Sequence, residues 1–290
     1  MSTLASSLLL EMLYKQLGET ERAWLAQQQT GLAAEPSDAN LHIALGMAPR
    51  KLGKADLNVT QADASAATAA IPGWDLTGWS VPDAARAVLL ASLPDDGKAF
   101  AARFKSLCQT ADVAESVGLF RSLPLAPSPG LLQDVVADGL RTNMKAVFEA
   151  IAHRNPYPRE HFDEHRWNHM VLKALFIGSR LAPIQGLDER ANPDLSRIMR
   201  DFAHERWAAD RPVPVEIWRC VGPFAVDDDA LADLKRVLAS PDDRERMAGT
   251  LALAACGSDK AIKILQTVPD IAAQVQSGDL TWDSPAFSEQ

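Results

Sequence analysis

Apolar residues recur along most of this chain at steps of three and four, the spacing that gathers them on one face of an α-helix. Between Ser2 and Gln28, Leu9, Leu13 and Leu17 fall at four-residue steps, and Trp24 and Leu25 follow the Gly18-Glu19-Thr20 break. This predicts two helices, or one helix broken at the glycine. Residues 31–78 read differently. Pro36, Pro49, Pro72, several glycines and the small-residue run Ala64–Ala70 predict an irregular segment draped over a helical body. Within it only Asn40–Leu45 and Asp63–Ala69 read as short helices. It closes on Gly73-Trp74-Asp75-Leu76-Thr77-Gly78-Trp79.

From Pro82 onward the pattern is regular. It predicts helices over Asp83–Ser92, Asp96–Gln109, Val113–Leu123, a long one over Pro129–His153, then Glu164–Ile177, Pro193–Ala208, Val215–Val221, Asp229–Leu238, Asp242–Cys256 and Asp259–Gln276. Alternating strand patterns hardly occur. The expected fold is therefore all-α. Short helices with short turns suit stacked antiparallel hairpins in a HEAT-like right-handed array, best matched over Leu231–Leu265 at about 40 residues per hairpin. The alternative is an irregular helical bundle. The chain reads as one domain, 1–290, made of N-terminal helices and irregular segment (1–80), a central core (81–225) and C-terminal helices (226–290).

Composition narrows the function. Apolar residues make up 47% and charged residues 23%, which is enough for a normal core. Lys and Arg number 29 against 38 Asp and Glu, a net charge of −9 without any basic run. That excludes nucleic acid and an anionic membrane surface as main partners. Cys108, Cys220 and Cys256 are widely separated and lack C-x-x-C spacing, which reads as free thiols in a reducing compartment, so cytoplasmic placement is expected. Leu8-Leu9-Leu10 is cut short by Glu11 and has no basic residues before it, so it reads as an amphipathic helix rather than a leader. No apolar run reaches the roughly eighteen residues of a membrane span.

The candidate chemistry is concentrated. Five of the six histidines lie between His153 and His204. His153-Arg154-Asn155-Pro156-Tyr157-Pro158 must end the preceding helix, because two prolines at alternate positions cannot continue it. Asp163 is placed to cap the next helix, on which His165, Arg166, His169 and Lys173 share one stripe, with Asn168 between them. His165 and His169 at i, i+4 have metal-ligand spacing, although Arg166 stands where a zinc protease has glutamate. The competing readings are a solvated face, or a polar pocket in which Arg166 and Lys173 recognise an anion. Lys173, flanked by Val171, Leu172, Ala174 and Leu175, must snorkel or find a partner. The aperiodic stretch Gly178–Asn192 is long for a compact helical domain and brings Asp188, Glu189 and Arg190 ahead of a helix that Asn192-Pro193 opens. That helix carries His204 beside its apolar face. No phosphate-cradling, nucleophile-elbow or zincin motif occurs.

Several of these blocks look like one known family. His153–Pro158, Trp167-Asn168-His169-Met170-Val171-Leu172-Lys173-Ala174-Leu175-Phe176, Gly186–Pro193 and His204-Glu205-Arg206-Trp207-Ala208-Ala209 resemble the central block of EboA-family proteins. Leu45–Leu57 resembles that family's N-terminal region. The resemblance runs from about Leu41 to Phe224, and the family pattern often has glutamine where this chain has His169. It implies a bacterial gene cluster that makes or moves secondary metabolites, including export of a sunscreen-pigment precursor in cyanobacteria. The implied partners are other cluster products, with a membrane prenyltransferase as one candidate, and a small-molecule metabolite. No cofactor and no catalytic residue is implied.

The expectation is a non-catalytic adaptor or small-molecule carrier. The ligand-contacting residues are expected among His165, Arg166, Asn168, His169, Lys173, Asp188, Glu189, Arg190 and His204. The alternative is an enzyme of an undescribed all-helical type, with a polar pocket around Lys173, Asp188, Arg190 and His165.

Overall fold

The computed structural model describes residues 2–94 and 96–287. Its regular structure is helical throughout, and the only β-pairing among the described residues is an isolated bridge between Asp56 and Ser80. No helix among them is long and apolar enough to cross a membrane. The chain divides into two compact units, Met1–Trp167 and Asn168–Gln290.

The first unit opens with α1 (Ser2–Gln16) and α2 (Glu19–Ala34), separated at Gly18 as the leucine spacing predicts. Then come α3 (Asp38–Leu52), α4 (Gln61–Ala70), α5 (Val81–Ala91), α6 (Gly97–Thr110), α7 (Val113–Arg121), α8 (Gln133–Gly139), α9 (Lys145–Ala152) and α10 (Tyr157–His161), while α11 (Glu164–Phe176) crosses the boundary. Every residue of α5 from Val81 to Leu90 is buried, so it is the central helix. It packs on α1, α3 and α7, and α7 in turn packs on α9. Alternate helices stacked this way are what hairpin arrays share, whereas α1 lying on both α4 and α5 is bundle-like.

Two expectations for this unit need correction. The segment 31–78 is far more helical than its prolines and glycines imply, because α3 runs for 15 residues straight through Pro49. Proline at 49 removes the N–H that would bond the Leu45 carbonyl. Arg86, buried on α5, donates to that carbonyl through Nε at 3.2 Å and to the Ala114 carbonyl at 3.0 Å. The proline defect is thus filled by a side chain 41 residues away. Conversely, the long helix expected over Pro129–His153 is broken into a 3₁₀ turn (Pro129–Leu132), α8 and α9. Its apolar period continues across the break, but Thr142 Oγ1 accepts the Met144 N–H at 3.1 Å, a local bond that competes with helix.

The end of the irregular segment is tied down by capping boxes. Thr60 and Asp63 cap α4 reciprocally, and Lys15 Nζ reaches Asp63 Oδ1 at 2.6 Å. The Lys15 and Thr60 hydrogen bonds hold the Asp63 carboxyl below its usual range. Asp63→Ala is expected to cost about 1 kcal/mol at neutral pH, mostly through the lost cap. Lys15 is 60% exposed, which keeps the ion-pair share small. A group depressed on folding stabilises above its unfolded value of 3.8, and that contribution fades as pH falls through the lower folded value. Urea unfolding of both proteins at pH 7 and pH 3 measures it: the gap should shrink at the acid end, and an unchanged gap contradicts the assignment.

The second unit holds the rest of α11, α12 (Pro193–Ala208), α13 (Ile217–Val221), α14 (Asp228–Leu238), α15 (Asp243–Cys256), α16 (Asp259–Leu265) and α17 (Pro269–Ser277). Helix α15 is its hub and packs on α13, α14, α16 and α17. A Cβ on Gly222 would lie 2.6 Å from the Ala252 carbonyl oxygen, so only glycine lets the turn after α13 approach α15 this closely. The helix expected over Asp259–Gln276 is two helices, since Pro269 starts a new one.

Candidate functional site

The expected caps around the histidine-rich section form. Asp163 Oδ1 accepts the Arg166 N–H at 2.7 Å, and Asn192 Oδ1 accepts the Leu195 N–H at 2.8 Å. Between them the side chains expected to bind a ligand contact various protein groups. Arg166 donates to Gln133 at 2.8 Å and to Asp134 at 2.7 Å. Buried Asn168 exchanges amide hydrogen bonds with Asn192 at 3.1 and 2.9 Å. Asp188 receives Arg219 through both oxygens, at 2.5 and 2.6 Å, which raises the Arg219 pKa. His204 meets Asp233 at 2.7 Å beside Arg200, and its ring stacks on Trp207. Trp207 is covered in turn by Trp218 and by the Arg236 guanidinium, 4.1 Å from the ring centre.

His165, His169 and Glu189 are exposed, and Arg190 is half-buried with its carbonyl bonded to Asn192. Lys173 snorkels: it is half-buried, and partial desolvation pulls its ammonium below the usual lysine range. Among the described residues no three His, Cys, Asp or Glu side chains cluster closely enough to hold a metal. The Cys108 and Cys220 thiols are pushed up to about 12 by burial, so neither is a thiolate nucleophile at neutral pH.

A recess of about 170 Å³ lies elsewhere, inside the first unit. Its walls come from three places: Trp74, Thr77 and Trp79 of the Gly73–Trp79 segment; Val117 and Arg121 of α7; and Ala146, Glu149 and Ala150 of α9 with the corner His153–Asn155. The corner is built by Asn155. Its buried amide donates to the Phe120 and Ala150 carbonyls, both at 3.0 Å, and accepts the Tyr157 N–H at 3.0 Å. Arg154 is thereby held at φ +52°, a left-handed conformation uncommon outside glycine and asparagine.

The tryptophan segment is clamped to this corner. The Asp75 N–H donates to the Arg154 carbonyl at 3.3 Å, Arg154 Nε lies 3.3 Å from the Asp75 carboxylate, and Arg159 donates to the Pro72 carbonyl at 2.9 Å. At its other end the Trp79 carbonyl accepts the Leu57 N–H at 2.8 Å. Arg121 is fixed by buried Asp83 at 2.7 Å and lies over the Trp79 ring. Trp74 and Trp79 meet edge to face at 6.0 Å. Trp74 is 1% exposed, and its indole Nε1–H finds no acceptor among the described residues. Burying such a donor without an acceptor costs free energy. None of these residues belongs to the stripe that the sequence favoured. The legible signals were the paired Gly-Trp segment and the His153-Arg154-Asn155 corner, 74 residues or more apart in the chain.

The molecule is thus an all-α protein whose first unit encloses a small recess lined by tryptophan and arginine. The chain belongs to the EboA family, described as metabolite traffic proteins, whose model matches residues 5–222 of the 290. No curated protein and no solved structure matches it.

Proposed function

We propose that the protein is a non-catalytic component of a secondary-metabolite trafficking system and carries a small molecule in the recess between Trp74 and Arg154. The observation behind this reading is a recess with two tryptophan rings and two guanidinium groups, Trp74, Trp79, Arg121 and Arg154, on its wall. Native mass spectrometry of protein purified gently from producing cells tests it. The expected result is an adduct in the wild type that Arg154→Asn loses. Asparagine tolerates positive φ, so this variant should keep the fold. Protein at its apo mass from a producing strain, with product formation unaffected by Arg154→Asn, would remove the carrier role.

The adaptor reading has its own support. An open groove of about 690 Å³ between α14 and α16 is lined by Leu231, Leu238 and Ile264 and by Lys235, Lys263 and the Lys260–Asp228 ion pair at 2.6 Å. It lies beyond the matched residues and would suit an acidic helix of a partner protein.

The enzyme reading is tested at Lys173. Lys173→Met removes a partly desolvated cation and is expected to raise stability by a few tenths of a kcal/mol, since exposed charge effects are small. A carrier should keep full product formation in this variant. Loss of product with the melting point retained would return the chemistry to the Lys173 stripe.

A further inference from the structure

We propose that the groove between α14 and α16 docks one acidic helix of a partner protein, about three turns long, with its carboxylates set against Lys235 and Lys263. The inference rests on the adaptor reading and adds the shape and charge of the partner segment.

The two helices that make the groove run side by side in the same direction. Both pack on α15. The Lys260–Asp228 ion pair at 2.6 Å joins their first turns, and Leu238 and Thr267 line the groove at their other ends. On α14 the lining residues Asp228, Leu231, Lys235 and Leu238 fall at steps of three and four, and on α16 Lys260, Ile264 and Thr267 do the same. Each set is a ridge along one helix, so the space between them is a straight furrow, about 15 Å long at the helical rise per residue. A ridge of a third helix fits such a furrow. An extended peptide would bring backbone N–H groups that need acceptors, and the lining side chains offer only Thr267 Oγ1 and the already paired Asp228 carboxylate. A helix arrives with its backbone bonds made within itself.

Charge gives the sign of the partner. The chain carries −9 overall, yet the groove lining carries three lysines against one acid. Lys260 compensates that acid, which leaves Lys235 and Lys263, both exposed, uncompensated within the lining. Leu231 and Leu238 are 3% and 8% exposed, so most of their surface is already covered. Half-buried Ile264 and the lysine stems supply the apolar surface that remains. Contact is therefore shallow and led by charge, which makes it salt-sensitive. A bilayer is flat and cannot follow the furrow, and an anionic one repels a chain of this net charge.

Fluorescence anisotropy of the full chain with a labelled acidic peptide, an alanine-based helix about 15 residues long with one leucine per turn flanked by glutamates, tests this at low salt. Saturable binding is expected, and Lys235→Glu/Lys263→Glu should weaken it about tenfold or more. Both lysines are exposed, so the variant should keep its helicity and melting point. Lys235→Ala/Lys263→Ala, which adds no new charge, should weaken binding in the same direction. A central proline in the peptide keeps its charge and breaks its helix, and should cost at least fivefold. Undiminished binding by the proline peptide overturns the helical occupant, and undiminished binding to both lysine variants overturns the groove as the site. No binding of the acidic helix to the wild type overturns the proposal outright. A wild-type dimer in sedimentation velocity that the lysine variants lose would give the groove to a second copy of this chain, and lysine-dependent flotation with phosphatidylserine vesicles would give it to a membrane. Either result overturns the partner helix. Product formation in a producing strain judges the adaptor reading separately. Normal output from a lysine variant that has lost the peptide removes the adaptor role and leaves the groove assignment standing. Lost output, with no peptide binding even by the wild type, keeps an adaptor whose partner is not an acidic helix.

Discussion

Glu216→Ala is expected to lower the stability of the second unit by about 3 kcal/mol, among the largest single-residue losses in the chain. Glu216 is 4% exposed and lies just before α13. Its carboxylate accepts the Leu181 N–H at 2.7 Å, the Ala182 N–H at 3.2 Å and an Arg180 N–H at 3.3 Å. Truncation leaves two backbone donors and part of a guanidinium without their acceptor, and the penalty for that exceeds the net worth of the bonds themselves. Glu216→Gln retains one acceptor oxygen and should lose about half as much. Urea midpoints, read by the fluorescence of neighbouring buried Trp218, give the totals. Hydrogen exchange at Leu181 and Ala182 localises them, with both amides exchanging faster in the alanine variant. A loss below about 1 kcal/mol would mean that these amides are held by something else.

That prediction also explains what the long aperiodic stretch after α11 does. Its length between two helices marks it as a loop with a role, and its polar residues are the ones the sequence offers as ligand groups. In the folded chain the Leu181 and Ala182 amides of this stretch close on Glu216, and Asp188 pairs with Arg219. Gly178 and Gly186, at φ +64° and +79°, make two turns that residues carrying a Cβ resist. Glu216 stands more than thirty residues downstream in an unremarkable local sequence. No local pattern marks it as the loop's anchor.

What was legible follows one rule. Helix existence is written in apolar spacing and caps, which are local, and so α12 begins and ends where the Asn192-Pro193 signal and the apolar face put it. Helix continuity is not local. Pro49 looks like a breaker until Arg86 arrives from another helix to bond the Leu45 carbonyl, and the period across Thr142 looks unbroken although the chain turns there. The recess has the same origin. Trp74 and Arg154 each sit in a stretch that composition singled out, but only tertiary packing brings them together.

Asn155→Ala is expected to cost about 3 kcal/mol and to weaken any ligand held by Arg154 at the same time. The residue is 4% exposed and makes three hydrogen bonds, two of them to carbonyls at the end of α7 and within α9. Those two bonds tie three neighbouring pieces of backbone together at the place where the chain leaves α9 through Arg154. Asn155→Asp separates geometry from polarity. It has nearly the same shape, yet it puts carboxylate oxygen where the Phe120 and Ala150 carbonyls require a donor, so it should be at least as damaging as alanine at neutral pH. Its deficit should shrink on acidification, because a protonated acid can donate to one of the two carbonyls. Thermal melting of both variants between pH 5 and pH 8 measures this. If Asn155→Asp were as stable as the wild type across that range, the amide could not be the corner's organising donor, and the placement of Arg154 beside Trp74 would need another cause.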